Sequence, residues 1–166
     1  MIRSQEPVII RLPGDGASIA GLDMRVKLST VETGGLSSVI EITHPEGGGP
    51  PLHVHHRHDE ILYVLEGEYR VQIGDVVAAA PAGTLAYARR GTPHAYARAG
   101  GSPGRLLVMV TPGGLEEYMT ELDQLIQEGA SEDSIACLNR AWATDVLGPG
   151  LSEAPPPEAD AYASSS

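Results

Sequence analysis

Along residues 8–111, apolar and polar positions alternate in short runs that glycine and proline interrupt. Val8–Leu12, Met24–Thr30, Leu36–His44, Glu60–Glu66, Tyr69–Ile73, Val76–Ala79, Thr84–Ala88 and Arg105–Thr111 each read as a strand. Side chains alternate faces along a strand, so a half-buried one shows a period of two. Turn chemistry separates the runs at Pro13-Gly14-Asp15-Gly16, Gly34-Gly35, Gly74-Asp75, Pro81-Ala82-Gly83 and Ala99-Gly100-Gly101. Many short strands at this spacing predict an all-β sandwich or closed antiparallel barrel. No long helical pattern interrupts them, which argues against a parallel α/β sheet.

The period changes after Pro112. Apolar residues at 115, 118, 119, 122, 125 and 126 share one helical face, with Glu116 and Glu117 in the first turn and Gly129 at the end. This helix is expected to pack against the barrel. A second helix is expected from about Ser131 to Thr144, with Ile135, Leu138 and Trp142 on one side. From Gly148 the chain is rich in proline, alanine, serine and acids, with too little apolar surface to offset chain entropy. The expected organisation is one domain over 1–147, with a barrel over about 5–112 and helices over about 115–145. A mobile tail over 148–166 follows.

Composition narrows the function. The 166 residues are 42% hydrophobic, enough for one substantial core. A formal net charge of −11 argues against non-specific binding to nucleic acid or an anionic membrane, both driven by positive charge. The single cysteine, Cys137, can form no internal disulfide and makes no zinc-binding pair. Placed on the second expected helix without an acid–base partner, it reads as a buried structural thiol. The N-terminal sequence lacks the apolar core of a signal peptide, and no segment nears the roughly 20 apolar residues of a membrane span. A cytoplasmic protein is expected. Phenylalanine is absent, so Leu, Val, Ile, Tyr and Ala must build the core. Tyr63, Tyr87 and Met109 are expected there, and His44, just before Pro45, as an ordinary strand end.

The chemistry concentrates in residues 53–60, His-Val-His-His-Arg-His-Asp-Glu, which hold four of the six histidines. A fifth, His94, follows Gly-Thr-Pro. Imidazole and carboxylate together are the usual ligand set for a borderline divalent metal. His53 and His55, two apart, share one face of an extended strand, and a carboxylate and a distant imidazole could complete the site.

These residues resemble the motifs of the cupin superfamily, and among its members the single-domain bacterial cupins grouped with quercetin dioxygenases. Gly47, His53, His55, Glu60 and Gly67 fit the first motif without adjustment. Gly83, Gly91 and His94 fit the second, where Arg89 stands in place of the usual proline and Arg98 in place of the usual asparagine. The resemblance covers about residues 36–111. It implies a cupin-type antiparallel jelly-roll barrel, here with one or two C-terminal helices, and it agrees with the strand pattern. It also implies one divalent transition metal (Fe, Ni, Co, Mn or Zn) held by His53, His55, Glu60 and His94. Asp59 is the alternative carboxylate; the spacing to Gly67 favours Glu60. Candidate pocket residues are Tyr96 and Arg98, which share the parity of His94, and His56 and His58, placed in a loop at the barrel mouth.

By resemblance, the function is a metal-dependent dioxygenase for an aromatic, flavonol-like or polyketide-like small molecule. Glu60 would be both ligand and acceptor of the substrate's hydroxyl proton. The alternatives are a Lewis-acid polyketide cyclase or isomerase, with His56, His58 or Tyr96 moving protons, and a non-enzymatic small-molecule binding module. A homodimer is the expected assembly, with Val8–Leu12 as a strand for exchange or edge pairing.

Overall fold

The alternating runs build two antiparallel sheets in the computed structural model, which describes residues 8–45 and 48–151. Gly47 of the first motif, residues 5–7 of the expected barrel and residues 152–166 of the expected tail lie outside them. In chain order the strands are β1 (Ala17–Ile19), β2 (Met24–Leu28), β3 (Ser38–His44), β4 (Leu52–His55), β5 (Asp59–Glu66) and β6 (Glu68–Ile73). They continue with β7 (Val76–Pro81), β8 (Leu85–Ala88), β9 (His94–Ala99), β10 (Gly104–Thr111) and β11 (Thr144–Gly148). One sheet runs β1-β2-β3-β10-β5-β8 and the other β11-β4-β9-β6-β7. Neighbours far apart in sequence make this a jelly roll, in which chain order and sheet order differ.

The core lies between the sheets. Ile40 and Ile42 of β3, Leu62 and Val64 of β5, and Leu106 and Val108 of β10 face Tyr69 and Val71 of β6. Each set is spaced by two, the period read from the sequence. Two helices follow, α1 (Leu115–Gln127) and α2 (Glu132–Ala141), and Leu115, Tyr118 and Leu138 join the core. At the end of α1 the Gly129 N–H donates to the Ile126 carbonyl and the Ala130 N–H to that of Leu125. Gly129 has φ +66°, so a glycine closes the helix without strain. The Ser131 hydroxyl caps α2 by accepting from the Ser134 N–H.

Several expectations are corrected. Val8–Leu12 forms no strand: Val8, Ile10 and Leu12 are exposed, and β1 instead pairs with β2. The Lys27 ammonium holds the intervening turn by donating to the Leu12 and Asp15 carbonyls. The second helix stops at Ala141, because Ala143 takes a left-handed φ of +52°. The chain then returns as β11, an unanticipated strand that includes Gly148, the first residue of the expected tail; β1, β4 and β9 were likewise outside the strand reading. Tyr63, Tyr87 and Met109 point outward and are exposed, since their parity is opposite to that of Leu62, Ala88 and Val108. Cys137 is exposed on α2; Leu138 is the residue there that turns inward.

Candidate metal centre

Four side chains converge at one end of the barrel. His53 and His55 come from β4, Glu60 from the start of β5 and His94 from the start of β9. His53 and His94 are direct cross-strand partners. One ligand atom from each of the four lies within 4.8 Å of the others, and all four residues are buried. Strand alternation separates the two adjacent acids. Glu60 points inward, 3% exposed, while Asp59 turns outward to accept from the Arg90 backbone N–H and guanidinium. That pairing lowers the Asp59 pKa to about 2 and takes Asp59 out of the site.

The histidines are aimed by what lies behind them. His53 Nδ1 is 2.8 Å from the Pro51 carbonyl and His94 Nδ1 is 2.9 Å from the Thr92 carbonyl. A carbonyl only accepts, so Nδ1 carries the proton in both and Nε2 is left with its lone pair. His55 Nδ1 is 2.9 Å from the Thr144 hydroxyl of β11. Outer partners of this kind fix tautomer and ring orientation at metal-binding histidines. Nε2 of His55 and of His94 stand 3.4 and 3.5 Å from Glu60 Oε2. His94 Nε2 is buried and has no hydrogen-bond partner. A buried polar atom left unpaired is costly in an apolar setting, and a cation among the four donors would satisfy it. The donor set therefore fits a divalent transition metal, three nitrogens and one oxygen.

The electrostatics agree. Burial alone would raise the Glu60 carboxyl, but the facing imidazoles of His55 and His94 hold it well below the usual carboxylate range. Burial lowers His94, and the Glu60 carboxylate more than reverses this, leaving it raised. Burial, then the neighbouring His94 and His55, lowers His53 to about 4. Near neutral pH Glu60 is an anion and His53 a neutral base, the states that ligation requires.

A cavity of about 330 Å³ opens from His53, His55 and Glu60. Its wall is mostly apolar: Leu22, Met24, Ile42, Val108, and Leu115, Met119 and Leu122 of α1. Among the described residues, no lysine or arginine lines it. Gly48, Gly49, Pro50 and Pro51 form one lip. At Gly49 a Cβ would meet the Tyr96 carbonyl oxygen at 1.8 Å, so the lip lies directly on β9.

Of the candidate pocket residues, Tyr96 lines the cavity and the other three do not. His56 is exposed and pairs with Asp145 Oδ2 at 2.8 Å. His58 is buried; its Nδ1–H donates to the Pro112 carbonyl and its ring lies against Gly114. The 56–58 loop is tied to the end of α2 by the Arg57 guanidinium donating to the Ala141 carbonyl and the His56 N–H to that of Ala143, which leaves His56 exposed and His58 turned inward. Arg98 is buried farther along β9 and donates to the Gly100 and Ser102 carbonyls. Two residues escaped the sequence reading. Thr144 sits in a stretch with no strand alternation. His44 lines the cavity, on the parity of Ile40 and Ile42, and that parity was the available signal.

Residues 40–110 match the Cupin_2 family, described as Cupin domain. The crystal structure of TT1209 from Thermus thermophilus is 26% identical with a TM-score of 0.53, covering 63% of this chain and 98% of that one. KdgF from Halomonas sp. is 18% identical with a TM-score of 0.55, over 67% and 97% of the two chains. A predicted oxalate decarboxylase from Thermotoga maritima is 22% identical with a TM-score of 0.52, over 54% and 78%. The last two speak to the fold alone. No curated protein matches the chain.

Proposed function

We propose that this chain, whose residues 40–110 match a cupin domain, is a metal-dependent oxygenase for an aromatic, flavonol-like or polyketide-like small molecule. The observation that carries the reading is the convergence of three imidazoles and one ionised carboxylate beside an apolar cavity. Bound there, a redox-active divalent metal would supply the means to bring dioxygen and an oxygen-bearing substrate together. The chain's own residues do the rest. His53, His55, His94 and Glu60 would hold the ion, and Pro51, Thr92 and Thr144 would keep the rings aimed. The apolar walls exclude water and favour flat hydrocarbon surface. Among the described residues they carry no cationic side chain of the kind a small dicarboxylate would need, which weighs against such a substrate. Glu60 stands where it can accept a proton from a substrate hydroxyl within hydrogen-bond reach; its low pKa makes it a ligand first.

Metal analysis and oxygen uptake test the reading. Protein isolated without added metal is expected to hold close to one divalent transition ion per chain. His94→Ala is expected to lower that content strongly and stability only modestly. Oxygen uptake with a flavonol or polyphenol should depend on Fe, Ni, Co or Mn. Metal content unchanged by His94→Ala would remove the four-ligand assignment, and turnover without oxygen would replace the oxygenase by Lewis-acid chemistry.

A further inference from the structure

Away from the four candidate ligands the cavity wall is polar at few points, and one of them has its own support. His44 ends β3 on the inward parity of Ser38, Ile40 and Ile42, is half-buried, and lines the cavity. Its Nδ1 lies 2.9 Å from the Tyr69 hydroxyl. Its ring stands edge-on to those of Tyr69 and Tyr96, with centroids 5.6 and 5.7 Å apart. Tyr69 is 1% exposed, and among the described residues His44 is the hydrogen-bond partner of its hydroxyl. Gly104 makes room for this phenol: a Cβ there would come within 2.5 Å of the hydroxyl oxygen.

The pair has one sensible proton arrangement. A buried hydroxyl needs an acceptor, and burial raises the Tyr69 pKa, so the phenol keeps its proton and donates to Nδ1. Burial first, and then the Arg98 charge, lower the His44 pKa, with Asp23 opposing in part, so the ring is neutral. A neutral imidazole that accepts at Nδ1 carries its hydrogen on Nε2. Tyr69 occupies the Nδ1 side and is not part of the cavity wall, so the edge left toward the cavity bears Nε2–H.

The position is set along β9. Tyr96 stands two residues beyond His94, about 7 Å along the strand. Tyr69 pairs with Arg98, two residues farther, and His44 touches both tyrosines. The imidazole thus borders the cavity beside the Tyr96–Arg98 stretch of β9, about 7–14 Å along the strand from His94.

We propose that His44 is the second anchoring point for substrate: its Nε2–H donates to an oxygen at the end remote from the metal-binding end. The ligand class is an elongated, uncharged ring compound with a metal-binding oxygen and a second oxygen on an outer ring remote from it. The proposal rests on the metal-dependent reading above. His44 is a positioning residue here, and Tyr69 selects its tautomer.

The test uses the full chain loaded with zinc, which prevents redox turnover. The probes are 3-hydroxyflavone, with its chelating 3-hydroxyl and 4-carbonyl pair on the central ring, and its 7-hydroxy and 4′-hydroxy derivatives, each of which adds a hydroxyl at one outer ring. One derivative is expected to bind about tenfold more tightly than the parent, because a buried donor left without an acceptor disfavours the analogue that lacks one. In His44→Asn the side-chain oxygen can still accept from Tyr69 but no donor reaches the cavity, and the preference should fall to within about twofold. In His44→Gln, which restores a donor at that reach, it should return. Zinc content should be equal in all three proteins. Long-range ¹H–¹⁵N spectra of the wild type should show His44 as the Nε2–H tautomer. Full zinc with no derivative preferred, or a preference that survives His44→Asn, or an Nδ1–H tautomer, overturns the role of His44 alone. A wild type that takes up no zinc overturns the metal reading and this proposal with it.

Discussion

Among the residues of the candidate site, His53 has the clearest pH consequence. Its folded pKa is about 4 against an ordinary 6.5, because burial and two facing histidines oppose its charge. Between those values the unfolded chain binds the proton and the folded chain does not, so this contribution is complete above about pH 6.5 and lost as pH falls. The difference corresponds to about 3 kcal/mol. His94 has the opposite sign: its raised pKa favours the fold at low pH, and that gain is lost as pH rises through the folded value. Glu60, lowered, favours the fold above about pH 4.5. Comparison with His53→Asn isolates the first effect. Urea unfolding in a chelator should show the wild type losing more stability than the variant from pH 6.5 to 4. Equal losses would mean that His53 is not buried as a neutral base. The convergence of the four candidate ligands was legible because His-x-His and a later carboxylate have few other reasons to occur together. His44 was not, because a single histidine before a proline reads as a strand end, and its parity with Ile40 and Ile42 was the one signal that set it inward.

At the scale of elements, seven of the eight strand runs read from the sequence are strands, but β4 and β9 escaped the reading for a common reason. Their inward positions hold His53, His55, His94, Tyr96 and Arg98 instead of aliphatic residues, so chemistry interrupts the apolar period that marks a strand. Val8–Leu12 failed in reverse: it has the period, yet no strand pairs with it among the described residues. β11 was hidden because Thr144–Gly148 has neither a clean period nor β-rich composition. Its role is nevertheless specific. It covers the edge of β4 and places Thr144 opposite His55, where the hydroxyl meets Nδ1. Outer partners of metal-binding histidines typically contribute 10–100-fold in affinity. Thr144→Val should therefore weaken zinc binding by about tenfold at unchanged helix content. A chain ending at Ala143 should lose at least as much and also aggregate through the bared β4 edge, while one ending at Leu151 should behave as wild type. Competition with a chromogenic chelator measures the affinities, and a Thr144→Val affinity equal to wild type would show that His55 is aimed by packing alone.

At the scale of the molecule, the outer face of the six-stranded sheet is the feature that the barrel itself does not explain. Across β10, β5 and β8 the register aligns Met109, Ile61 and Tyr87 in one row and Leu107, Tyr63 and Leu85 in the next. Tyr87 is 50% and Leu85 61% exposed, and among the described residues β8 is one of the sheet's two edge strands. Contiguous apolar rows beside an open edge are costly for a monomer in water. We propose that a second copy of the chain covers this face. The formal charge of −11 on each copy opposes the pairing, so salt that screens the charge should favour it. Sedimentation at tens of micromolar chain should give twice the 17.4 kDa chain mass, with the dimer fraction rising from low to moderate salt. Tyr63→Glu combined with Met109→Glu puts like charges on facing copies and should yield monomer. Metal content should not change, because both side chains point away from the cavity. A wild-type monomer at every salt concentration would rule out this face as a self-interface. A monomeric double variant that also loses its metal would show instead that the substitutions disturb the barrel.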